Sequence, residues 1–579
     1  MSTNITSGSP RYDAIIIGSG LGGSSAAAHL AATGQRVLLL ERYSVLGGTS
    51  HVFRRQGKWE FDCGVHFVGD CGPDGQVPTL LRGLGLDDRI EWLPLESESF
   101  DTIIGPDFAL RTPFGWDSYQ RNLLETFPDE RRGILRLMSV LRSLGENVDR
   151  DQVPGTPLEV ARYLAKVGPK AAAFAGLPYM ALLVACNLRP RTILALSVQN
   201  GALATTPLGN ATIMQAGYFQ NYVGGGAYYP KGGGQVLAAG FAEVIRSHGG
   251  SIRTNAGVQK ILLGGGKVTG VLLESGETIL APVVVSATDI IRTYTDLVGL
   301  EHLPAVQRAR IRAWKMSRPL INGFFGIEQD LSNVPNSNYF SIPTWEDATS
   351  LRSLNRMSSQ LVDGKGFADG RSWAREFARR QPMYVMSSSR RDPSHAPAAP
   401  AGHSTVEVQT IAPFSPALWG FDGHAVADGD YRQDKRYLEV KKIIIDGMLE
   451  RMEQAYPGSS NNVRLAELAS PASQQRFVGN TGGAPFGLET RTTQIGPLRP
   501  GSRGLVPGLF LAGTSTRWGP GTEGAMLSGR HAAGAILGRD LAAEVRAGGV
   551  LSESASLATW GSDFDALESC RGPECIGGL

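Results

Sequence analysis

The sequence predicts an α/β protein: a discontinuous Rossmann-type domain carrying an α+β substrate domain in its insertions. Three observations predict it. The chain opens on a strand, a glycine triplet, a helix, a second strand and a terminal acid. A second strand, glycine turn and helix stand near residues 508–537. Between them run long helical and alternating apolar patterns that a nucleotide-binding unit alone does not use.

Residues 13–17 form a β-branched run that stops at Gly18-Ser19-Gly20-Leu21-Gly22-Gly23, a G-x-G-x-x-G sequence. An Ala-rich helix follows to Thr33, with Gly34 as its stop. A strand over 36–40 then ends at Glu41. Gly18 permits the tight turn, Gly20 lets a pyrophosphate approach the backbone, and Gly23 lets helix and strand pack closely. The helix N-terminus offers free N–H groups and its positive dipole end to phosphate, and Glu41 can accept from ribose hydroxyls. The continuation, Arg42-Tyr43-Ser44-Val45-Leu46-Gly47-Gly48-Thr49, supplies a second stretch of exposed backbone N–H.

The middle block starts at Tyr229-Pro230-Lys231-Gly232-Gly233-Gly234, continues as a helix to His248, and becomes an antiparallel meander through Val258 and Val268. It closes on Val283-Val284-Val285-Ser286. Near the end, Gly508-Leu509-Phe510-Leu511-Ala512-Gly513 reads as a buried strand and glycine turn. It leads through Trp518-Gly519-Pro520-Gly521-Thr522-Glu523-Gly524-Ala525 into a helix over 526–537.

Composition bounds the function. At 579 residues, 42% apolar and 19% charged, the chain has material for at least two packed units. A formal charge of +2 argues against a nucleic-acid binder. Five cysteines do not make a disulfide framework, and Cys63 and Cys71 lack partners at zinc spacing, so no metal is expected. Cys570 and Cys575 fall in a Gly-rich end, read as a flexible tail over 546–579. The first residues lack the apolar core of a secretory signal, and a cytoplasmic setting is expected. No apolar run reaches the about 18 residues of a membrane span. The longest candidate, residues 171–188, has two open readings: a buried helix pair, or a segment dipping into one leaflet.

The motifs at residues 18–23, 47–49 and 513–525 together resemble the FAD-binding set of the amine oxidase superfamily. Phe61-Asp62-Cys63-Gly64-Val65-His66, Phe127-Pro128-Asp129-Glu130, Asp392-Pro393-Ser394-His395-Ala396-Pro397 and Asn480-Thr481-Gly482-Gly483-Ala484 narrow the likeness. They resemble the branch of phytoene desaturase, carotenoid isomerase and retinol saturase. Trp518 and Glu523 are not what every branch member shows.

The resemblance implies a flavoenzyme that desaturates, saturates or isomerises a long hydrophobic carotenoid, retinoid or other lipid. It implies FAD contacts at Gly18, Gly20, Gly23, Glu41, Arg42, Gly47, Gly48 and Thr49. Further contacts fall at Val258, beside the adenine, and at Gly513, Gly521, Glu523, Gly524 and Ala525. A helix N-terminus beside a reduced flavin stabilises its negative charge by about 0.3–2 kcal/mol. His66, Glu523 and Arg517 are the candidate catalytic residues, each with a purely structural alternative. Tyr218, Phe219, Tyr222, Tyr228 and Tyr229 are candidate tunnel walls. A substrate of this kind leaves a bilayer to reach the site, so peripheral membrane contact is expected.

The FAD-binding domain is assigned to residues 10–95, 225–300 and 470–545, and the substrate domain to 100–224 and 301–469. Residues 346–381 have no clear period and read as a surface excursion. Two rival functions remain: an FAD-dependent amine oxidase, with Lys315 as the lysine at the flavin, and a non-catalytic prenyl-lipid binder like the Rab GDP-dissociation inhibitors. The complete glycine set disfavours the second.

Overall fold

The structure, a computed structural model, describes residues 11–572 apart from 423–425 and 427–428. Its nucleotide-binding sheet has five parallel strands in the order Ser251–Arg253, Val37–Leu40, Ala14–Ile17, Val283–Ser286, Leu509–Leu511. Val, Ile and Leu dominate these short strands because both faces are covered, one by helices around Leu30, Phe241 and Leu527 and the other by the antiparallel meander through Ile261, Val271 and Ile279. The helix Leu21–Ala32 lies against the helix Gly521–Leu537 at glycine contacts. A Cβ at Gly529 would fall 2.4 Å from the Gly22 carbonyl oxygen, and one at Gly22 would fall 2.6 Å from the Gly513 nitrogen. This close approach is why an Ala- and Gly-rich pair of helices, with almost no large side chains, can join the two ends of the chain.

The second sheet has seven strands in the order Val463–Ala469, Leu320–Ile327, Ser404–Ile411, Met383–Met386, Asn338–Ser341, Asp101–Ile104, Ala109–Thr112. All its neighbours run antiparallel except Asn338–Ser341 beside Asp101–Ile104. In the two central strands every residue is buried. One face, with Ile321, Phe325, Val406 and Val408, packs on helices through Trp373, Phe377, Ile444 and Met448. The period of two turns Asn322, Glu407 and Gln409 to the other face. A layer of short helices between Trp116 and Phe219 builds a separate core around Tyr119, Leu137, Tyr179 and Leu183.

Four expectations change. Residues 346–381 are not an excursion: Leu351–Met357 and Gly370–Arg380 are helices, and Trp373 and Phe377 are completely buried. The insertion over 100–224 opens with two strands of the second sheet before its helices begin. The last helix starts at Gly521, five residues before the expected 526. The stretch 546–572 is not a loose tail. Leu567 and Cys570 are buried against Val45, Leu46 and Ala239, the Cys570 carbonyl accepts from Leu46 N at 3.0 Å, and Gly572 N donates to the Ser44 carbonyl at 2.8 Å. Cys570 is a free thiol, and Cys575 lies outside the described residues.

Residues 171–188 form the short helices Pro169–Ala175 and Tyr179–Ala185, which pack one side into the core and leave Leu177 and Val184 exposed. Among the described residues no helix is long and apolar enough to cross a membrane.

Candidate active site

A cleft runs along the C-terminal edge of the parallel sheet, and most of the expected nucleotide contacts line it. Gly18, Gly20, Glu41, Arg42, Gly47 and Gly48 form one wall, with Val258 near one end. Gly513, Gly521 and Ala525 also line the cleft, packed beside Gly22, and so does Thr49. The local sequence explains the shape. At Gly20 an added Cβ would meet no protein atom within 4 Å, so the backbone is bare toward the cleft. Glu41 is aimed by three donors: Ser19 N at 2.9 Å and Ser19 Oγ at 2.7 Å on one oxygen, and Tyr43 N at 2.7 Å on the other. Arg42 donates to the carbonyls of Arg476 and Phe477 at 3.0 and 3.2 Å, tying a roof segment over the cleft.

Two expected contacts have another task. A Cβ at Gly23 would lie 2.0 Å from the Gly18 carbonyl oxygen, and one at Gly524 would lie 2.2 Å from the Trp518 carbonyl oxygen. Both residues, and Glu523 with them, are absent from the cleft wall: Gly23 packs its helix on the turn after the first strand, as its spacing predicts, and Gly524 packs the last helix on the loop at Trp518.

Beside the cleft lies a cavity of about 1180 Å³. Thr49, Gly64, Pro485, Phe486, Gly521 and Thr522 line both spaces, so the cavity opens onto the cleft where the helix Gly521–Leu537 begins. Its floor is the second sheet, through Leu320, Asn322, Tyr384 and Gln409. Its apolar walls include Phe67, Leu203, Ile213 and Tyr222.

The three candidate catalytic residues all line this cavity. His66 is 6% exposed, and its Nε2 accepts from the Gln409 side-chain amide at 2.7 Å. Its Nδ1 has no hydrogen-bond partner. Burial, helped by the Arg391 charge, lowers its pKa to about 3, so the ring is neutral at physiological pH. It is a poor proton acceptor and is suited to donate a hydrogen bond from Nδ1–H. Glu523 is also buried, and its Oε1 is taken up by Gly69 N at 2.6 Å, Asn221 Nδ2 at 2.8 Å and Tyr222 Oη at 3.2 Å. It holds three segments together at the start of the helix. Arg517 stacks its guanidinium 5.7 Å from the Trp518 ring, and partial burial lowers its pKa.

Of the five aromatics, Tyr218 and Tyr222 line the cavity. Phe219 packs into the helical core, and the Tyr229 hydroxyl donates to Asp62. Tyr228 is also outside the cavity wall. Lys315 is exposed and lines neither space.

Sequence reading missed the sheet floor. Asn322, Glu407 and Gln409 were legible as polar residues of one parity inside otherwise apolar strands. Farther along the same face, Ser388 Oγ lies 3.0 Å from Asp62 and 2.8 Å from Glu407. Burial, with the Asp62 charge, raises Glu407 to about 8, so that carboxyl keeps its proton at neutral pH. Among the described residues no cluster of metal-binding side chains occurs.

A parallel sheet with a bare glycine turn, an aimed acid and a second helix end on one cleft defines a dinucleotide-binding protein whose reactive end meets a large apolar cavity. The family described as flavin containing amine oxidoreductase matches residues 21–345 and 435–537, and the chain belongs to it. All-trans-retinol 13,14-reductase of Danio rerio is 26% identical over 82% of this chain and 77% of that protein. Prolycopene isomerase 1 of an Oncidium hybrid cultivar is 25% identical over 92% of this chain and 86% of that protein. A solved putrescine oxidase superposes with a TM-score of 0.57 at 13% identity, over 91% of this chain and 99% of that one, a likeness of fold alone. The expected superfamily and its carotenoid and retinol branch are borne out, and the cofactor is a flavin. The open Gly20 backbone and the aimed Glu41 fit a flavin nucleotide.

Proposed function

We propose that the protein is an FAD-dependent oxidoreductase acting on C–C or C=C bonds of a retinoid- or carotenoid-like polyene. The observation that carries this reading is the junction at Thr49, Gly64 and Gly521, where the nucleotide cleft opens into an apolar cavity of about 1180 Å³. FAD would lie along the cleft with its ribose and adenine beside Glu41 and Val258 and its reactive end toward Gly521, which also lines the cavity. FAD so bound would supply hydride transfer to or from a substrate carbon.

The chain's own residues position the substrate and keep water away. Tyr222, Tyr384 and Phe67 grip the polyene by its faces, and Phe67 and Tyr222 already pack 4.6 Å apart. His66 offers a neutral donor at the cavity wall, held in its tautomer by Gln409. The names of the two relatives support carbon–carbon chemistry. The amine oxidase alternative loses its expected lysine, because Lys315 points to solvent.

We further propose a cytoplasmic setting with peripheral contact to a bilayer. Exposed Leu158, Leu177, Val184 and Leu208, on or beside the helices near the cavity, support that contact. Anaerobic mixing of the yellow protein with retinoids, carotenoids and amines tests the function. Bleaching or spectral change with polyenes and none with amines is expected; bleaching by amines alone overturns it.

A further inference from the structure

One end of the large cavity differs from the rest. Arg150, Arg162, Lys166 and Arg517 line it, and among the described residues none of the four has a carboxylate partner within ion-pair distance. The two acids at the same rim are already engaged. Glu159 accepts from Gly155 N at 2.7 Å and Thr156 N at 3.1 Å. Asp149 accepts from Asp151 N at 2.9 Å and Gln152 N at 3.3 Å, with Arg546 at 3.8 Å.

Arg517 shows the clearest construction. Its guanidinium fits against two glycines: a Cβ at Gly155 would lie 1.6 Å from Nη1, and one at Gly501 would lie 2.8 Å from Nη2. Its Nε is buried without a hydrogen-bond partner. Glu159 acts on this half-buried cation only from beyond ion-pair distance, so an anion arriving in direct contact would return part of the free energy its desolvation costs. Arg150 is fixed differently, donating to Asn221 Oδ1 at 2.6 Å, and Asn221 in turn donates to Glu523. Arg162 and Lys166 come from one helix, Pro157–Val167, four residues apart on the face that borders the cavity.

We propose that this rim is an anion subsite and that the substrate is an amphipathic polyene acid, its chain among Tyr222, Tyr384 and Phe67 and its terminal carboxylate on Arg517, Arg150, Arg162 and Lys166. This rests on the polyene reading above and adds the charged end. A planar fork such as Arg517 matches a carboxylate with two parallel hydrogen bonds. The exposed Arg162 and Lys166 add steering that salt weakens. A neutral hydrocarbon would leave all four cations unanswered.

Binding to the flavin-loaded full chain, followed by perturbation of the flavin spectrum, tests this with three matched probes: all-trans-retinoic acid, its methyl ester and all-trans-retinol. The acid is expected to bind about tenfold more tightly than ester or alcohol, the scale of one charge-assisted hydrogen bond. Arg162→Gln with Lys166→Gln should erase much of that preference while ester binding and flavin content hold, and Arg517→Gln should remove acid binding more than ester binding. Equal affinity for the three probes, or a preference that survives both variants, overturns the anion subsite and leaves the polyene reading standing. Failure of all three to bind overturns both. Phosphatidylglycerol against phosphatidylcholine vesicles separates a lipid headgroup from a substrate carboxylate. Binding to the anionic vesicles that depends on the same residues, with no preference for the acid, assigns the cations to the bilayer and overturns the proposal.

Discussion

His66 and Gln409 meet across 2.7 Å, ring nitrogen to side-chain amide, joining the loop after the glycine pair to the floor of the second sheet. His66→Ala is expected to retain flavin and slow single-turnover reaction with a polyene by about 10²-fold, the lower end of what a positioned donor contributes. Because the ring titrates near 3, the rate between pH 5.5 and 8 should show no inflection from this group. Unchanged single-turnover kinetics in the variant removes His66 from the chemistry.

Gly20 and Gly23 separate cofactor binding from packing. Gly20→Val projects into open cleft, so the protein should fold with normal circular dichroism and emerge colourless. Gly23→Val drives a side chain into the Gly18 carbonyl and should lower the melting temperature sharply or abolish soluble protein. A yellow Gly20→Val protein contradicts the assignment of the cleft.

Glu523 collects three donors on one oxygen. Glu523→Gln keeps an acceptor and should preserve the fold. Glu523→Leu strands Gly69 N, Asn221 and Tyr222 in a buried place and should cost about 2–4 kcal/mol in denaturant unfolding.

Two buried groups set opposite pH limits on stability. Glu407 holds its proton up to about 8 when folded, against an ordinary 4.5. The folded chain therefore binds a proton that the unfolded chain has released, and stability falls as pH rises from 4.5 to 8. His66 works the other way: its folded pKa of about 3 lies below 6.5, so stability present above 6.5 is lost as pH falls. Glu407→Gln should remove the loss of melting temperature as pH rises from 4.5 to 8, whereas His66→Asn should lessen the loss as pH falls below 6.5.

Deleting residues 551–579 removes Leu567 and Cys570 from Val45 and Leu46. The shortened chain should lose flavin on dialysis that the full chain retains, with a melting temperature several degrees lower. Equal flavin retention shows that the segment only covers the surface.

The nucleotide cleft was legible because its determinants are local: each glycine and acid stands where a short strand and helix place it, and Gly18, Gly20 and Glu41 needed no distant partner to be recognised. The second sheet was harder. Asp101–Ile104 finds its place through pairing with Asn338–Ser341, more than two hundred residues away, which no local period reports. The helix Gly370–Arg380 was hidden because its apolar side is only Trp373, Ala374, Phe377 and Ala378 among arginines. The start of the last helix was obscured by Pro520 and Gly521, residues that usually interrupt helices and here open one. His66 and Arg517 were correctly drawn to one cavity, but Gln409, which holds His66, could be found only by folding the sheet.

The helices Leu21–Ala32 and Gly521–Leu537 touch at Gly22 and Gly529, and Cys570 closes behind Leu46. During synthesis, then, the first strand and its glycine turn leave the ribosome nearly five hundred residues before the partners that complete them. A nascent chain has only half a grip on its prosthetic group, and holding that early segment soluble until the last helix emerges falls to the middle of the polypeptide or to a chaperone. The flavin cleft is therefore complete only when segments about five hundred residues apart in the sequence have met.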